Sequence, residues 1–269
     1  MTSLPLLIEP DGLEPRLGEP GLLVVDLSKP ELYGRMHLPG AVHLDYARIV
    51  TSQPPVMGLL PDATSISRVF SDIGLRPETH VVAYDDEGGG RAARLLWTLA
   101  AYGHTTYSLL NGGLHAWANE GHTLSHEPVE PTPTDYRAEY KGDVVASREE
   151  IQAALGSPEL KLLDTRSPKE FNGSDKRAHR AGHIPGAVNL DWTLFMDPQR
   201  NLRLKPERDL RGMLAEKGIG PEDQVVTYCQ THHRSAHTWL VLSHLGMPRP
   251  RGYPGAWSDW GNREDTPVE

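Results

Sequence analysis

The chain has 269 residues, enough for two domains of ordinary size, and its 38% apolar and 23% charged residues are typical of a globular protein. The formal net charge is −9 and no run of Lys and Arg stands out, which argues against a nucleic-acid-binding role. No apolar run approaches the roughly 20 residues that a membrane helix needs.

The N-terminal segment from Met1 to Pro10 does not resemble a signal peptide. It has no basic region, and Pro5 interrupts its short apolar stretch. Cys229 is the only cysteine, so the chain forms no intramolecular disulfide and nothing suggests an oxidising compartment. We therefore expect a cytoplasmic protein.

The first half of the chain contains four distinctive sequence blocks. An apolar run ending in an aspartate comes first, followed by a His-Leu-Pro-Gly-Ala-Val block, an apolar run ending in Tyr-Asp, and a Gly-Gly-Leu-His-Ala-Trp block. In chain order they are Leu22 to Asp26, His37 to Asp45, Val81 to Asp85, and Gly112 to Trp117. Short apolar runs of this kind, alternating with amphipathic stretches, are typical of buried strands in a parallel sheet.

A proline-rich segment divides the chain. Residues 125–134 contain three prolines and little apolar periodicity, which predicts an extended and fairly stiff linker. Ser147-Arg-Glu-Glu150 then resembles a capping box that opens a helix over Ile151 to Leu155. We therefore expect a first domain over residues 1–124, a linker over 125–139 and a second domain over 140–269.

The second half predicts strands alternating with helices. The expected strands are Lys161–Arg166, Ala187–Asp191 and Val225–Cys229, and the expected helices are Pro206–Lys217 and Ser235–Leu245. This alternation favours an α/β fold, a parallel sheet with helices on both faces, whose chemistry lies where strands end at their carboxyl edge.

The second half repeats the first. His37-Leu-Pro-Gly-Ala-Val recurs 146 residues later as His183-Ile-Pro-Gly-Ala-Val, and the run ending at Asp85 recurs 144 residues later, ending at Cys229. The Trp117 block recurs 143 residues later at Trp260. Three blocks in the same order at nearly constant spacing indicate duplication of one unit.

The segment from Cys229 to Ser235 combines the features of an activated nucleophile. A predicted strand ends at Cys229 and a helix begins six residues later, with Ser235 as the expected N-cap. Loop N–H groups, the helix N-terminus and the charge of Arg234 would all favour a thiolate. A small buried cysteine is the ordinary alternative. The loop is polar, and we expect a cysteine at a strand end not to lie deep in the core.

These motifs resemble the tandem-domain rhodaneses. Asp164-Thr-Arg166 resembles the family's DxR strand end, His183-Ile-Pro-Gly-Ala187 its GHIPGA block, and Gly255 to Trp260 its GSWxEW block. The loop Cys-Gln-Thr-His-His-Arg-Ser resembles the bacterial RhdA-type subgroup. The resemblance implies two tandem rhodanese-like domains, each a parallel sheet flanked by helices on both faces, with only the second one catalytic. The first copy has Asp85-Asp86-Glu87 in place of the cysteine loop, and these acids would repel an anionic substrate.

The resemblance implies a thiosulfate:cyanide sulfurtransferase. Cys229 would take sulfane sulfur from thiosulfate as a persulfide and pass it to cyanide or a thiol by double displacement, without metal or organic cofactor. The active loop would consist of Gln230, Thr231, His232, His233, Arg234 and Ser235. Donor and acceptor are small molecules; a protein that feeds or drains the sulfur is an alternative partner.

Several residues have competing interpretations. Cysteine phosphatases use the same cradle chemistry but place five residues between Cys and Arg, whereas only four lie between Cys229 and Arg234. The loop histidines could suggest a metal site, but adjacent residues in a tight loop rarely converge on one ion. The basic insert over residues 176–180 predicts a solvated loop, with Arg180 as a candidate guide for anionic donors. Glu170 stands where many two-domain relatives carry Arg, and Gln230 and Thr231 stand where mammalian members carry basic residues.

Overall fold

The computed structural model describes residues 4–269; Met1 to Ser3, the start of the segment considered as a signal peptide, lie outside the described residues. The chain divides into two compact units. The first contains the chain up to Ile49, Pro61–Lys141 and Met196–Leu204, and the second contains Val50–Leu60, Gly142–Phe195 and Lys205–Glu269. Each unit therefore includes a short segment from the other half of the sequence, which the expected division at residues 124 and 140 did not foresee.

The elements up to residue 119 include seven strands, five of which form one sheet and two of which form a hairpin. In chain order they are β1 (Leu7–Ile8), α1 (Pro10–Leu13), β2 (Leu22–Asp26), α2 (Pro30–Tyr33), β3 (Val42–His43), β4 (Thr51–Gln53), β5 (Val56–Leu59), α3 (Ala63–Asp72), β6 (His80–Tyr84), α4 (Gly90–Ala101), β7 (Tyr107–Leu110) and α5 (Gly113–Asn119). The sheet of the first unit has the order β1-β7-β6-β2-β3, and all its pairs are parallel.

The elements after residue 147 repeat this pattern. In chain order they are α6 (Arg148–Ala153), β8 (Lys161–Asp164), α7 (Pro168–Phe171), β9 (Val188–Asn189), β10 (Met196–Asp197), β11 (Arg203–Leu204), α8 (Glu207–Glu216), β12 (Val225–Tyr228), α9 (Arg234–His244), β13 (Arg251–Gly252) and α10 (Ala256–Trp260). The sheet of the second unit has the order β13-β12-β8-β9, again all parallel. The predicted α/β fold is confirmed.

Two antiparallel hairpins are the segments exchanged between the halves of the sequence. Hairpin β4–β5 comes from the first half and belongs to the second unit, whereas hairpin β10–β11 comes from the second half and belongs to the first unit. In the first unit, the backbone N–H of Leu204 donates to the side chain of Asn111 at 2.8 Å, and Arg203 pairs with Glu9 at 2.7 Å. The duplication therefore includes a reciprocal exchange of hairpins.

The segment over residues 125–139 has no helix or strand, as a proline-rich stretch predicts. Its backbone is nevertheless bonded along α3. Thr134 donates to the carbonyl of Ser71 at 3.0 Å, and Ala138 donates to the hydroxyl of Ser67 at 2.9 Å. The segment is therefore packed on the first unit and does not act as a free spacer there.

Successive side chains of β12 are buried on opposite faces of the second sheet. Val226 and Tyr228 pack in a core with Ile151 of α6 and with Trp257 and Trp260 of α10. Thr227 points the other way, and its hydroxyl donates to the carbonyl of Ser235 in α9 at 2.9 Å. Since successive side chains of a strand point to opposite faces, helices cover both sides of β12.

The start of α6 agrees with the sequence prediction, and the start of α9 differs from it. The capping box predicted at Ser147 is present, with reciprocal bonds between Ser147 and Glu150. Ser235 is not the N-cap of α9: the helix begins at Arg234 and His233 is its N-cap. Ser235 lies inside the first turn, and its hydroxyl bonds to the side chain of His232 at 2.7 Å.

The carboxyl end of β8 is fixed by a buried ion pair. The guanidinium of Arg166 donates to both carboxylate oxygens of Asp164, at 2.6–3.0 Å, and to the carbonyl of Gly182 at 2.8 Å. Both charged side chains are 0% exposed. The pair ties the strand end to the loop that leads into the His183 block.

We predict that Arg166→Met destabilises the second unit by about 3–5 kcal/mol, because it leaves the buried carboxylate of Asp164 without its partner. Urea unfolding followed by circular dichroism measures the change. The matched control is Arg177→Met, which removes an exposed guanidinium paired with Asp175 and should change the midpoint little. Equal effects of the two substitutions would contradict this account of the strand end.

Candidate active site

The loop over residues 229–233 turns sharply between β12 and α9. His232 has a left-handed backbone with a φ of 53°, a conformation that is uncommon outside glycine. The carbonyls of Cys229 and Gln230 accept from the backbone N–H groups of Trp257 and Ser258 in α10, both at 3.0 Å. Two carbonyls of the loop are thus bound to α10, while the N–H groups of Thr231 and Ser235 bond to the sulfur.

Cys229 is the first residue of this loop, directly after β12. Its residue is 1% exposed, so the expectation that a cysteine at this strand end avoids the core was wrong. Burial on its own would raise the pKa of the thiol. The charge of Arg234, the hydroxyl and N–H of Ser235 and the N–H of Thr231 oppose this effect and lower the pKa to about 7. A large fraction of the thiol is therefore ionised at neutral pH, which is the state of a nucleophilic cysteine.

Arg234 is shared between the sulfur and a carboxylate. Its guanidinium forms two parallel hydrogen bonds with Glu170, at 2.7 and 2.8 Å, and also reaches the sulfur of Cys229. Burial would raise the pKa of the Glu170 carboxyl, but hydrogen bonds and the charge of Arg234 lower it to about 2. Glu170 is therefore ionised at neutral pH and offsets part of the positive charge that Arg234 presents to the sulfur.

The loop histidines support the loop. His232 is 0% exposed, and its Nδ1 bonds to the hydroxyl of Ser235. Trp192 packs against the rings of His233 and His237, with centroid distances of 5.9 and 5.4 Å. Among residues 4–269, no group of three or more His, Cys, Asp and Glu side chains is arranged to hold a metal ion.

The remaining predicted site residues lie in two places. The side-chain amide of Gln230 donates to the carbonyl of Arg177 at 3.1 Å, so the basic insert runs beside the loop. The guanidinium of Arg180, however, binds the carbonyls of Trp260 and Thr266 together with the Thr266 hydroxyl. The geometry thus gives Arg180 a set of contacts with the C-terminal segment, and its proposed guidance of donors stays a prediction.

The first repeat has the same cradle with a different occupant. Asp85, which aligns with Cys229, is 0% exposed, and its carboxylate accepts from the N–H groups of Glu87, Gly89 and Ala92 at 2.8–3.0 Å. Arg91 pairs with the neighbouring Asp86 and Glu87. The predicted obstacle is repulsion of an anionic substrate by these acids; the structure adds that a carboxylate already occupies the amides themselves.

Sequence reasoning did not assign Glu170 to the site. Its local signal, Ser167-Pro-Lys-Glu170, indicates a capping box, and that box is present. Its second role depends on Arg234, which is 64 residues away in the sequence. No local pattern announces such a contact, so it follows only from the fold.

Together the fold and this loop define an α/β protein with an activated thiol at the carboxyl end of a parallel strand. A rhodanese-like domain model matches residues 9–120 and again residues 147–263. The chain therefore belongs to the rhodanese family and contains two rhodanese-like domains.

Curated relatives match over the whole chain. Thiosulfate sulfurtransferase of Pseudomonas aeruginosa is 46% identical over 268 residues, which cover 100% of this chain and 98% of the relative. The thiosulfate sulfurtransferase of Azotobacter vinelandii is 46% identical over 267 residues, covering 99% and 98%. That of Corynebacterium glutamicum is 35% identical over 277 residues, covering 98% and 90%.

The fold also resembles solved structures. The anaerobic ergothioneine biosynthesis enzyme from Chlorobium limicola matches with a TM-score of 0.86 and 21% identity, over 98% of this chain and 70% of that one. At this identity the likeness concerns the fold alone. In the part of the chain that the structure describes, no helix has the length and apolar character needed to cross a membrane.

We predict that Cys229 reacts with iodoacetamide with a midpoint near pH 7, because its folded pKa is lowered to about 7 and the thiolate accumulates as the pH rises through that value. Arg234→Gln should move the midpoint to higher pH, since it removes a positive charge from the thiolate. Glu170→Gln should move it to lower pH, since it removes the carboxylate that offsets that charge. The rate of alkylation, measured by mass spectrometry across pH, gives all three midpoints.

The double variant Glu170→Gln/Arg234→Gln should lie between the two single variants, because it removes both members of the pair. Arg177→Gln removes a basic side chain that is exposed and paired with Asp175, and it serves as the charge control. A Glu170→Gln midpoint at or above that of the natural protein would contradict the assigned electrostatics.

Proposed function

We propose that this protein is a thiosulfate:cyanide sulfurtransferase that carries sulfane sulfur as a persulfide on Cys229. The observation that carries the proposal is the Cys229 thiol itself. It is buried in a loop of N–H donors, and its pKa is lowered to about 7. The curated relatives that are 46% identical over the full chain are named thiosulfate sulfurtransferases, which supports the same substrate here.

In the first step, the thiolate of Cys229 attacks the outer sulfur of thiosulfate. A new S–S bond forms, the S–S bond of thiosulfate breaks, and its electron pair leaves with sulfite. The enzyme now holds a persulfide anion on Cys229, one sulfur longer than the thiolate. The same N–H groups of Thr231 and Ser235 that stabilise the thiolate are suited to stabilise this anion.

In the second step, the acceptor attacks the terminal sulfur of the persulfide. With cyanide, a carbon–sulfur bond forms, the S–S bond of the persulfide breaks, and thiocyanate leaves while Cys229 returns to the thiolate. No electrons enter or leave the cycle, so no redox cofactor is needed. The chain has no second cysteine to resolve the persulfide as an internal disulfide, which favours a persistent intermediate.

A phosphatase activity fits the site less well. Four residues separate Cys229 from Arg234, one fewer than phosphatases use. Both terminal nitrogens of Arg234 are bound by Glu170, so a phosphoryl group would have to displace that carboxylate. A loop that surrounds one sulfur atom with N–H donors suits a persulfide better than a tetrahedral phosphoryl group.

We also propose a protein donor or acceptor, such as a cysteine desulfurase, as a physiological partner beside small molecules.

Arg180 and the basic insert would attract an anionic donor by their charge, and Arg180→Ala should then raise the Michaelis constant for thiosulfate. A cytoplasmic location suits the proposal, because a reducing compartment keeps a lone active thiol from being oxidised.

The central test is intact mass before and after addition of thiosulfate. We expect a gain of about 32 Da, one sulfur atom, and its loss on addition of cyanide with release of thiocyanate. Cys229→Ala, the matched control, should show no gain and no thiocyanate. A natural protein whose mass does not change with thiosulfate would exclude thiosulfate as the donor.

A further inference from the structure

Hairpin β4–β5 raises the question of why the non-catalytic half of the sequence supplies a segment to the catalytic unit. Residues 50–60 belong to the second compact unit although they precede its other segments by more than 80 residues. Within this unit the hairpin reaches the active loop at two points, one direct and one through Ser258 of α10. One contact involves Gly58 and the other involves Met57.

Gly58 lies directly against the backbone of Thr231. A Cβ atom placed on Gly58 would lie 2.1 Å from the carbonyl oxygen of Thr231 and 2.7 Å from its carbonyl carbon. These are backbone atoms, so they cannot move aside as the end of a flexible side chain does. Gly58 also has a φ of 75°, in the left-handed region that favours glycine. A glycine in a strand at such a point is typical of close approach by another backbone.

Met57 reaches the loop through Ser258. The N–H of Met57 donates to the hydroxyl of Ser258 at 2.9 Å, and this hydroxyl lies 3.1 Å from the carbonyl of Met57. The N–H of Ser258 in turn donates to the carbonyl of Gln230 at 3.0 Å. The hairpin is therefore connected to Gln230 by one intervening residue and touches Thr231 directly.

These contacts fall on the residues that orient the loop donors. The N–H of Thr231 bonds to the sulfur of Cys229 and belongs to the same residue whose carbonyl touches Gly58. A shift of the Thr231 carbonyl rotates or displaces the peptide groups on either side of it. The position of the hairpin is thus coupled to the direction of an N–H donor at the reactive atom.

We propose that hairpin β4–β5 is a positioning element of the active loop: Gly58 and Met57, from the first repeat, hold Thr231 and Gln230 so that the loop N–H groups face Cys229. The inference rests on the proposed function for its catalytic consequence, and on the geometry alone for its effect on the thiol. It gives the first half of the chain a direct part in the reactivity of the second.

The test is Gly58→Ala in the full chain. An added methyl group must displace either Thr231 or the hairpin, and both displacements disturb the donor at the sulfur. We expect kcat/KM for thiosulfate to fall about tenfold or more, since a shift of about 1 Å in a catalytic group has effects of that size or larger. We also expect the midpoint of Cys229 alkylation to move to higher pH by about one pH unit, as loss of a charge-assisted hydrogen bond implies.

Gly218→Ala is the matched control. Gly218 has a φ of 72°, lies in the same unit, and has nothing within 4 Å of an added Cβ atom. It therefore reproduces the backbone strain of Gly58→Ala without the contact to Thr231. Ser258→Ala is a second probe that adds no bulk: it removes the hydroxyl between Met57 and the loop and should shift the alkylation midpoint in the same direction by a smaller amount.

The alkylation midpoint separates this inference from the proposed function. If thiosulfate gives no persulfide on the natural protein, the proposed function fails, but the midpoints still report on the hairpin. An upward shift for Gly58→Ala with none for Gly218→Ala supports the inference. Equal midpoints for Gly58→Ala, Gly218→Ala and the natural protein overturn the inference. If Gly58→Ala does not fold, an unchanged midpoint for Ser258→Ala overturns it instead.

Discussion

The site depends on stabilising a negative charge on a sulfur atom that is almost completely shielded from water. Cys229 is 1% exposed, and burial by itself favours the neutral thiol. Fixed N–H groups, a hydroxyl and one guanidinium must therefore replace the solvation that water would give. Since these donors belong to Thr231 in the loop and to Arg234 and Ser235 in the first turn of α9, whatever fixes this short segment also fixes the reactivity of the thiol.

Several neighbouring elements hold the cysteine and its donors in place. Parallel strand β12 places the cysteine at the carboxyl edge of the sheet, and α10 binds the carbonyls of Cys229 and Gln230. Glu170 holds Arg234 in two hydrogen bonds, which orients the guanidinium and moderates its charge. In our proposal, hairpin β4–β5 adds the last support at Thr231. A donor anion then meets a site whose charges are already arranged before it binds.

The comparison of the two repeats shows what the cradle requires. Asp85 and Cys229 occupy corresponding strand ends, and loop N–H groups face both side chains. The carboxylate of Asp85 fills its own cradle with three hydrogen bonds and leaves no nucleophile. Loop N–H donors are thus present at both strand ends, but only the second strand end holds a side chain that can act as a nucleophile.

Much of this could be predicted from the sequence because the signals are local. Repeated blocks, apolar strands and the capping box at Ser147 each follow from neighbouring residues, and they gave the parallel α/β fold and the loop around Cys229. The errors have a common cause. The residue type of Ser235 predicts an N-cap, but α9 already begins at Arg234, after a left-handed His232 that no propensity indicates. The pairing of Glu170 with Arg234 and the exchange of hairpins join residues far apart in the chain, which only tertiary packing brings together.

The central claim, that one sulfur is held on one residue between two separate half-reactions, is tested most directly by the stoichiometry of a single turnover. Thiosulfate is mixed with the protein in the absence of an acceptor, and the sulfite released is measured per chain; cyanide is then added to the isolated protein. The account predicts one equivalent of sulfite, followed by one equivalent of thiocyanate. Sulfite that appears only when cyanide is also present would contradict it, because the sulfur would then pass directly from donor to acceptor without resting on Cys229.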